Sequence, residues 1–268
     1  MVDDNLELVQ TLLGFDMYVG PEADGGLDYA VRHHGVYEAG TLHVMERVLR
    51  EGDVFMDIGA NIGLMSLAAS KFVGEGGTVY SFEPVPSTYR ILRRNIEINN
   101  VMNVKTYSKA VGSKREEKNI YWMYGGKSGA ATMIEPQKDT YYCKVEVETV
   151  DGFVRDNDIN VLRLIKIDVE GWELEVLKGA KELLSSDKAP VVIIEYSETH
   201  PIFGGELMDI YDNLVRINDY KIYRLEGGKE NISPFYEIGP LELPKHDNLF
   251  CFLPVHDMER INVGGKNG

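Results

Sequence analysis

An α/β fold with one open, mostly parallel sheet is predicted by three features of this 268-residue chain. The apolar run Val54–Ile58 breaks into the turn Gly59-Ala60-Asn61-Ile62-Gly63 and is followed by apolar residues at helical spacing. A second strand, Thr78–Phe82, ends at Glu83-Pro84, which closes a strand-helix-strand unit with a right-handed crossover. Further on, Val161–Ile167 and the β-branched run Val191–Ile194 have the composition of strands buried on both faces.

The other elements follow in order. Phe15–Val19 and Leu27–Val31 are read as two strands around Asp24-Gly25-Gly26, an N-terminal hairpin cap over residues 1–40. Leu42, Val44, Met45, Val48 and Leu49 recur at helical spacing and lead to the first core strand. Leu64, Leu67, Ala68 and Phe72 mark the next helix, Ser87–Ile98 another, and Val104–Tyr107 a short strand. The pattern then breaks over residues 113–147, where Tyr121, Trp122, Tyr124, Tyr141 and Tyr142 surround Gly125-Gly126. This is an insertion of one or two β-hairpins. A helix from Trp172 to Leu184, a helix from Leu207 to Ile217, and strands Tyr220–Tyr223 and Leu249–Leu253 complete a main domain over residues 41–268.

Composition narrows the function. With 44% hydrophobic and 26% charged residues the chain can bury a large core. A formal charge of −15 argues against a general nucleic-acid or anionic-membrane binder. Cys143 and Cys251 lie in no metal-ligand spacing and are too few for a disulfide framework, so a reducing, cytoplasmic setting is expected. The acidic start, Met1-Val2-Asp3-Asp4-Asn5, is unlike a secretory signal, and no apolar run has the length of a membrane span.

The chemistry is concentrated at two strand ends. Gly59 permits a tight turn, and Gly63 lets the next helix pack close to the sheet. Asp57 beside that turn disfavours a bare pyrophosphate and suits a cationic or hydroxyl-bearing ligand. Adenosylmethionine fits, with its ammonium, sulfonium and ribose. Glu83, 24 positions after Gly59, can accept hydrogen bonds from both ribose hydroxyls. A nicotinamide fingerprint needs glycines where this chain has Asn61 and Leu64, and no Gly-Lys-Ser or Gly-Lys-Thr makes a phosphate loop. At the second strand end, Lys166, Asp168 and Glu170 alternate at the carboxyl edge, where open parallel sheets bind ligands.

Asp57–Gly63, Glu83-Pro84 and Lys166–Gly171 together resemble the motifs of the FkbM family of adenosylmethionine-dependent methyltransferases, over roughly Glu38 to Glu195. The segment Lys-Ile-Asp-Val-Glu-Gly, with Glu173, Leu177, Lys178 and Gly179-Ala180 after it, is the most family-specific part. The resemblance implies a class I methyltransferase sandwich, with a seven-stranded sheet whose last strand is antiparallel. It also implies methyl transfer, usually to an oxygen of a sugar or natural-product scaffold. By resemblance, Gly59, Asn61 and Gly63 wrap the methionine part, Asp57 meets the ammonium directly or through water, and Glu83 holds the ribose. Pro84 and Val85 wall the adenine, with Ser108–Ala110 opposite. Glu38 is either a cap for the methionine carboxylate through a bridging group or an exposed glutamate starting a helix.

An alcohol acceptor needs a base, and the candidates are Asp168, Glu170, Glu195 and His200, with Lys166 beside them. The same acids have the oxygen donors a divalent metal would use, and the sequence does not choose between base and metal. His33 and His34 are read as a solvated turn. The expected partner is a small-molecule or carbohydrate acceptor, with neither membrane nor nucleic acid. A nicotinamide oxidoreductase, a catalytically silent nucleotide-binding module and an RNA or protein methyltransferase are the alternatives.

Overall fold

The computed structural model describes residues 6–20, 26–122, 131–135, 141–198 and 202–256. The chain runs β1 Glu7–Gln10, β2 Asp16–Val19, α1 Leu27–His34, α2 Ala39–Val48, β3 Val54–Ile58, α3 Leu64–Val73, β4 Thr78–Phe82, α4 Pro86–Ile98 and β5 Val104–Tyr107. The insertion adds β6 Ala110–Val111, β7 Glu116–Trp122 and β8 Tyr141–Glu148. Then follow α5 Val150–Asp156, β9 Leu164–Ile167, α6 Glu173–Lys178, α7 Lys181–Leu184, β10 Val191–Ser197, α8 Met208–Asn218, β11 Lys221–Leu225, β12 Phe235–Glu237 and β13 His246–Phe252.

The main sheet has eight strands in the order β12-β11-β13-β10-β9-β3-β4-β5. Strands β10, β9, β3, β4 and β5 pair in parallel, and β13 inserts antiparallel between β10 and β11. The seven-stranded arrangement with an antiparallel last strand is therefore present. One short edge strand, β12, extends it by pairing antiparallel with β11.

Alternating side chains build two layers. Met56, Ile58, Ile165, Ile167, Val192 and Ile194 face one core, with Trp172, Leu174 and Leu214 of the later helices and Ile120 of the insertion. Phe55, Leu164, Val191, Ile193 and Phe250 face the other, against Val44, Met45 and Val48 of α2 and Ala68 and Ala69 of α3.

Two elements differ from the sequence expectation. The hairpin cap pairs β1 with β2, and Leu27–His34 is a helix. Leu27, Tyr29 and Val31 fit a period of two, but Leu27 and Val31 are buried while Tyr29 is exposed, so the i, i+4 pair is the one that packs. Asp24 and Gly25 lie outside the described residues, as do Tyr124 and Gly125-Gly126. The expected helix Trp172–Leu184 is two short helices parted at Gly179-Ala180, where the carbonyl of Gly112 approaches too closely for a side chain on residue 179.

The cap is fastened to the core by Asn95 of α4. Its side chain accepts from the Tyr18 N–H at 2.6 Å and donates to Ile62 O at 2.8 Å, tying β2 to the glycine turn. The insertion is a three-stranded sheet, β6-β8-β7, and Thr132 within it donates its hydroxyl to Glu170 O at 3.1 Å. Both additions thus reach the carboxyl edge of the main sheet.

Candidate active site

A cavity of about 540 Å³ opens at that edge, between the glycine turn, the Asp168–Trp172 turn and the insertion. Its donor side is built by β3 and β4. Gly59 and Ala60 donate their N–H groups to Phe82 O at 3.0 and 2.9 Å, so the turn folds over the end of β4. Gly59 has φ +85°, and a Cβ there would fall far inside contact distance of the Asp168 carbonyl oxygen. Asn61 also has positive φ, 51°; its N–H donates to Glu83 Oε2 at 3.0 Å, while Val85 N–H donates to Glu83 Oε1 at 2.9 Å. Glu83 is thereby aimed into the cavity. Burial raises its carboxyl to about 7, with the two N–H groups partly offsetting the rise.

A polar row crosses four neighbouring strands on the α3 side of the sheet. Asp57 of β3 pairs in register with Lys166 of β9, and Glu195 of β10 pairs with Asn248 of β13. Lys166 donates to Asp168 Oδ2 at 2.7 Å. Burial alone would lower the Lys166 ammonium, but Asp168, Glu38 and Asp57 outweigh it and hold the ammonium above its ordinary value. Burial likewise opposes ionisation of Asp168, yet Lys166 and Lys229 hold that carboxyl below the usual range. Asp57 is buried behind the row, accepting from Ser66 Oγ at 2.6 Å, and burial raises it to about 6 against Lys166 and Ser66.

The sequence-predicted residues therefore fall into three groups. Gly59, Asn61, Glu83, Pro84, Val85 and Ala110 line the cavity on the donor side, and Lys166, Asp168 and Glu170 line the facing edge. Asp57 and Gly63 are not among the residues that line the cavity, a placement compatible with the water-mediated form of the contact expected between Asp57 and the ammonium. Asp57 supports Lys166 from behind, and Gly63 allows α3 to approach α4, since a Cβ would meet Leu92 Cδ1 at 2.6 Å. His200 lies outside the described residues. His33 and His34 end α1 and are exposed, away from the cavity wall.

Sequence reasoning named Glu38 and Glu195 but missed Lys229 and His246, which join them at the far end of the site. Glu38 is fully buried, not exposed at a helix start: it receives Lys229 Nζ at 2.9 Å and Asn248 Nδ2 at 2.8 Å. Lys229 also donates to Glu195 Oε1 at 3.1 Å, and His246 Nε2 lies 3.9 Å from the same oxygen. Glu173 folds back so that Oε1 accepts from Val169 and Gly171 N–H at 3.1 and 3.2 Å, fixing the turn that presents Glu170 at φ 54°. Because β13 runs antiparallel, its first residues reach the carboxyl edge; the polar start His246-Asp247-Asn248 was the available signal.

The chain's residues fit adenosylmethionine. The buried Asn61 Oδ1 and Trp172 Nε1 have no hydrogen-bond partner among the described residues, and both residues line the cavity. They are a spare acceptor and a spare donor held by residues of the cavity wall. A divalent metal fits poorly. Single oxygens of Asp168, Glu170 and Glu195 do lie within 4.8 Å of one another, but Lys166 and Lys229 already place ammonium groups on two of the three acids.

Parallel strands in this order with antiparallel β13 between β10 and β11, a glycine turn and a strand-end glutamate on one cavity define a class I adenosylmethionine-dependent methyltransferase. The sequence matches the methyltransferase FkbM domain over residues 57–222, more than half the chain, and the protein belongs to that family. It is 25% identical over 194 residues to Methyltransferase 1 of Beauveria bassiana, covering 65% of this chain and 75% of that one. It is 28% identical over 168 residues to the hexuronic acid methyltransferase AglP of Haloferax volcanii, covering 59% and 62%. To the 31-O-demethyl-FK506 methyltransferase FkbM of Streptomyces tacrolimicus it is 27% identical over 164 residues, covering 50% and 62%.

The buried acids have a consequence for stability. Asp57 at about 6, and Glu83 and Glu173 at about 7, hold protons in the folded protein that the unfolded chain releases near its ordinary carboxylate values. Raised values favour the folded state most at low pH, and that contribution is lost as pH rises through them. The thermal midpoint of the ligand-free protein is expected to fall between about pH 5 and pH 7.5. A midpoint that climbs across this interval, measured by calorimetry, would show that these acids are ionised throughout.

Proposed function

We propose that the protein transfers a methyl group from adenosylmethionine to a hydroxyl oxygen of a small carbohydrate or natural-product-like acceptor. The supporting observation is the pairing of a ribose-ready Glu83 on one wall with a carboxylate edge, Asp168, Glu170 and Glu195, on the facing wall of one cavity. When bound, the donor supplies an electrophilic methyl; the chain's residues align it and manage the acceptor proton. Glu83 accepts from the ribose hydroxyls, Pro84, Val85 and Ala110 border the adenine, and Asn61 faces the methionine part. Asp168, held ionised by Lys166, orients the acceptor hydroxyl.

A small acceptor fits better than RNA, because the chain carries −15 charges and the acceptor wall is acidic. The name of one relative specifies a 31-O-demethyl compound, which supports the oxygen preference, and that of another specifies a hexuronic acid, which supports a carbohydrate acceptor. Among the described residues no helix is long and apolar enough to cross a membrane, and the two free cysteines suit a reducing, cytoplasmic setting.

The test uses methyl-labelled adenosylmethionine with a panel of neutral glycosides, uronic acid glycosides and hydroxylated macrocycles. Labelled methyl ethers are expected, and label found only on RNA or on nitrogen would overturn the reading. With a positive acceptor, Asp168→Ala should lower turnover about 100-fold while donor affinity changes less than about threefold. Unchanged turnover would remove Asp168 from the reaction.

A further inference from the structure

The carboxyl edge has more buried acids than cations. Among the described residues Asp57, Glu38 and Glu195 are buried there and Asp168 is partly buried, and the lysines set among them are Lys166 and Lys229. Lys166 is committed to Asp168 at 2.7 Å, and Lys229 is shared between Glu38 at 2.9 Å and Glu195 at 3.1 Å. Glu195 therefore has half a cation on one side and the Asp168 and Glu170 carboxylates on the other. His246 from β13 lies beside it, and Glu173 of α6 borders the same small void. Burial and Asp168 push Glu195 up to about 8, with Lys229 only partly offsetting them. Two acids on one edge thus have opposite character: Asp168 stays ionised, while Glu195 can exchange a proton near neutrality.

His246 lies beside this acid and is partly exposed. Its Nε2 lies 3.9 Å from Glu195 Oε1, its Nδ1 meets Ser197 Oγ at 2.9 Å, and its side chain is 44% exposed. Both Glu195 and His246 line the cavity.

We propose that Glu195 takes the proton of the acceptor hydroxyl and that His246 carries it to solvent. The assignment rests on the methyl-transfer reading above. The proton leaves the acceptor oxygen for a Glu195 carboxylate oxygen, the oxygen's electron pair bonds the methyl carbon, and the carbon–sulfur pair stays on sulfur, neutralising the sulfonium. Before that step, the positive charge of a bound sulfonium in the same cavity would favour the ionised carboxylate, lowering its pKa by roughly one to two units. The donor's own charge thus arms the base. Without a donor Glu195 is largely protonated at neutral pH, and after transfer the uncharged sulfide lets it keep the proton until His246 removes it.

Binding calorimetry in buffers of different ionisation heat tests this with adenosylmethionine and adenosylhomocysteine, which differ by the sulfonium methyl. At about pH 7.5, adenosylmethionine should release roughly 0.5–0.7 proton more than adenosylhomocysteine. In Glu195→Gln this difference should vanish, while adenosylhomocysteine still binds within about threefold, which also shows that the variant is folded. An undiminished difference in the variant overturns the assignment. If neither ligand binds the wild type, the methyltransferase reading fails instead. Should the variant not fold, infrared difference spectra of the wild type decide: a protonated-carboxyl band must disappear with adenosylmethionine and stay with adenosylhomocysteine, and the reverse overturns the proposal. For His246→Gln, stopped-flow mixing with a pH indicator should show slower proton appearance, and an unchanged rate removes His246 from the path.

Discussion

Replacing Gly59 with alanine is expected to abolish adenosylmethionine binding and to destabilise the fold by about 3 kcal/mol or more. Two costs combine. An L side chain at φ +85° is strained by about 1–2 kcal/mol, and its Cβ would collide with the Asp168 carbonyl, pushing the glycine turn away from the edge that faces it. Gly52→Ala supplies the comparison, because Gly52 has the same φ of +85° and open space within 4 Å. Its melting point should fall by the strain alone, with donor binding intact. Equal losses in the two variants would mean that the contact between Gly59 and Asp168 is unimportant.

Glu83→Ala is expected to weaken adenosylmethionine binding by roughly 100-fold, about 2.7 kcal/mol. The loss goes beyond the ribose bonds. The same carboxylate receives the Asn61 and Val85 N–H groups at 3.0 and 2.9 Å, so its removal leaves both donors unsatisfied and releases the Asn61 turn from its φ of 51°. Glu83→Gln keeps one acceptor oxygen and should cost about tenfold. Because the ribose is common to donor and product, adenosylhomocysteine should lose affinity in parallel. A loss confined to adenosylmethionine would place Glu83 beside the sulfonium instead.

Local chemistry decided what could be read from residues alone. Strands Thr78–Phe82 and Val104–Tyr107 match the structure because turn-forming residues bound short β-prone runs, and Lys166, Asp168 and Glu170 do line one wall. Leu27–Val31 misled because five residues satisfy both periods, and only burial against the glycine turn separates them. Asp57 has the place of a ligand residue before the turn, and as a buried strand residue two positions before Gly59 it points into the α3 layer, where it accepts from Ser66 Oγ. The Glu38–Lys229–Glu195 bridge was illegible for another reason. Its members are 34 or more positions apart, and only the long return of the chain through β11 and β13 brings them together.

Titration calorimetry with adenosylmethionine, adenosylhomocysteine and NAD on the full chain tests most directly that this cavity is a methyl-donor site. Both sulfur compounds are expected to bind one per chain, with Glu83→Ala weakening each, while NAD gives no heat of binding. Tight NAD binding with no response to either sulfur compound would contradict the assignment of the cavity.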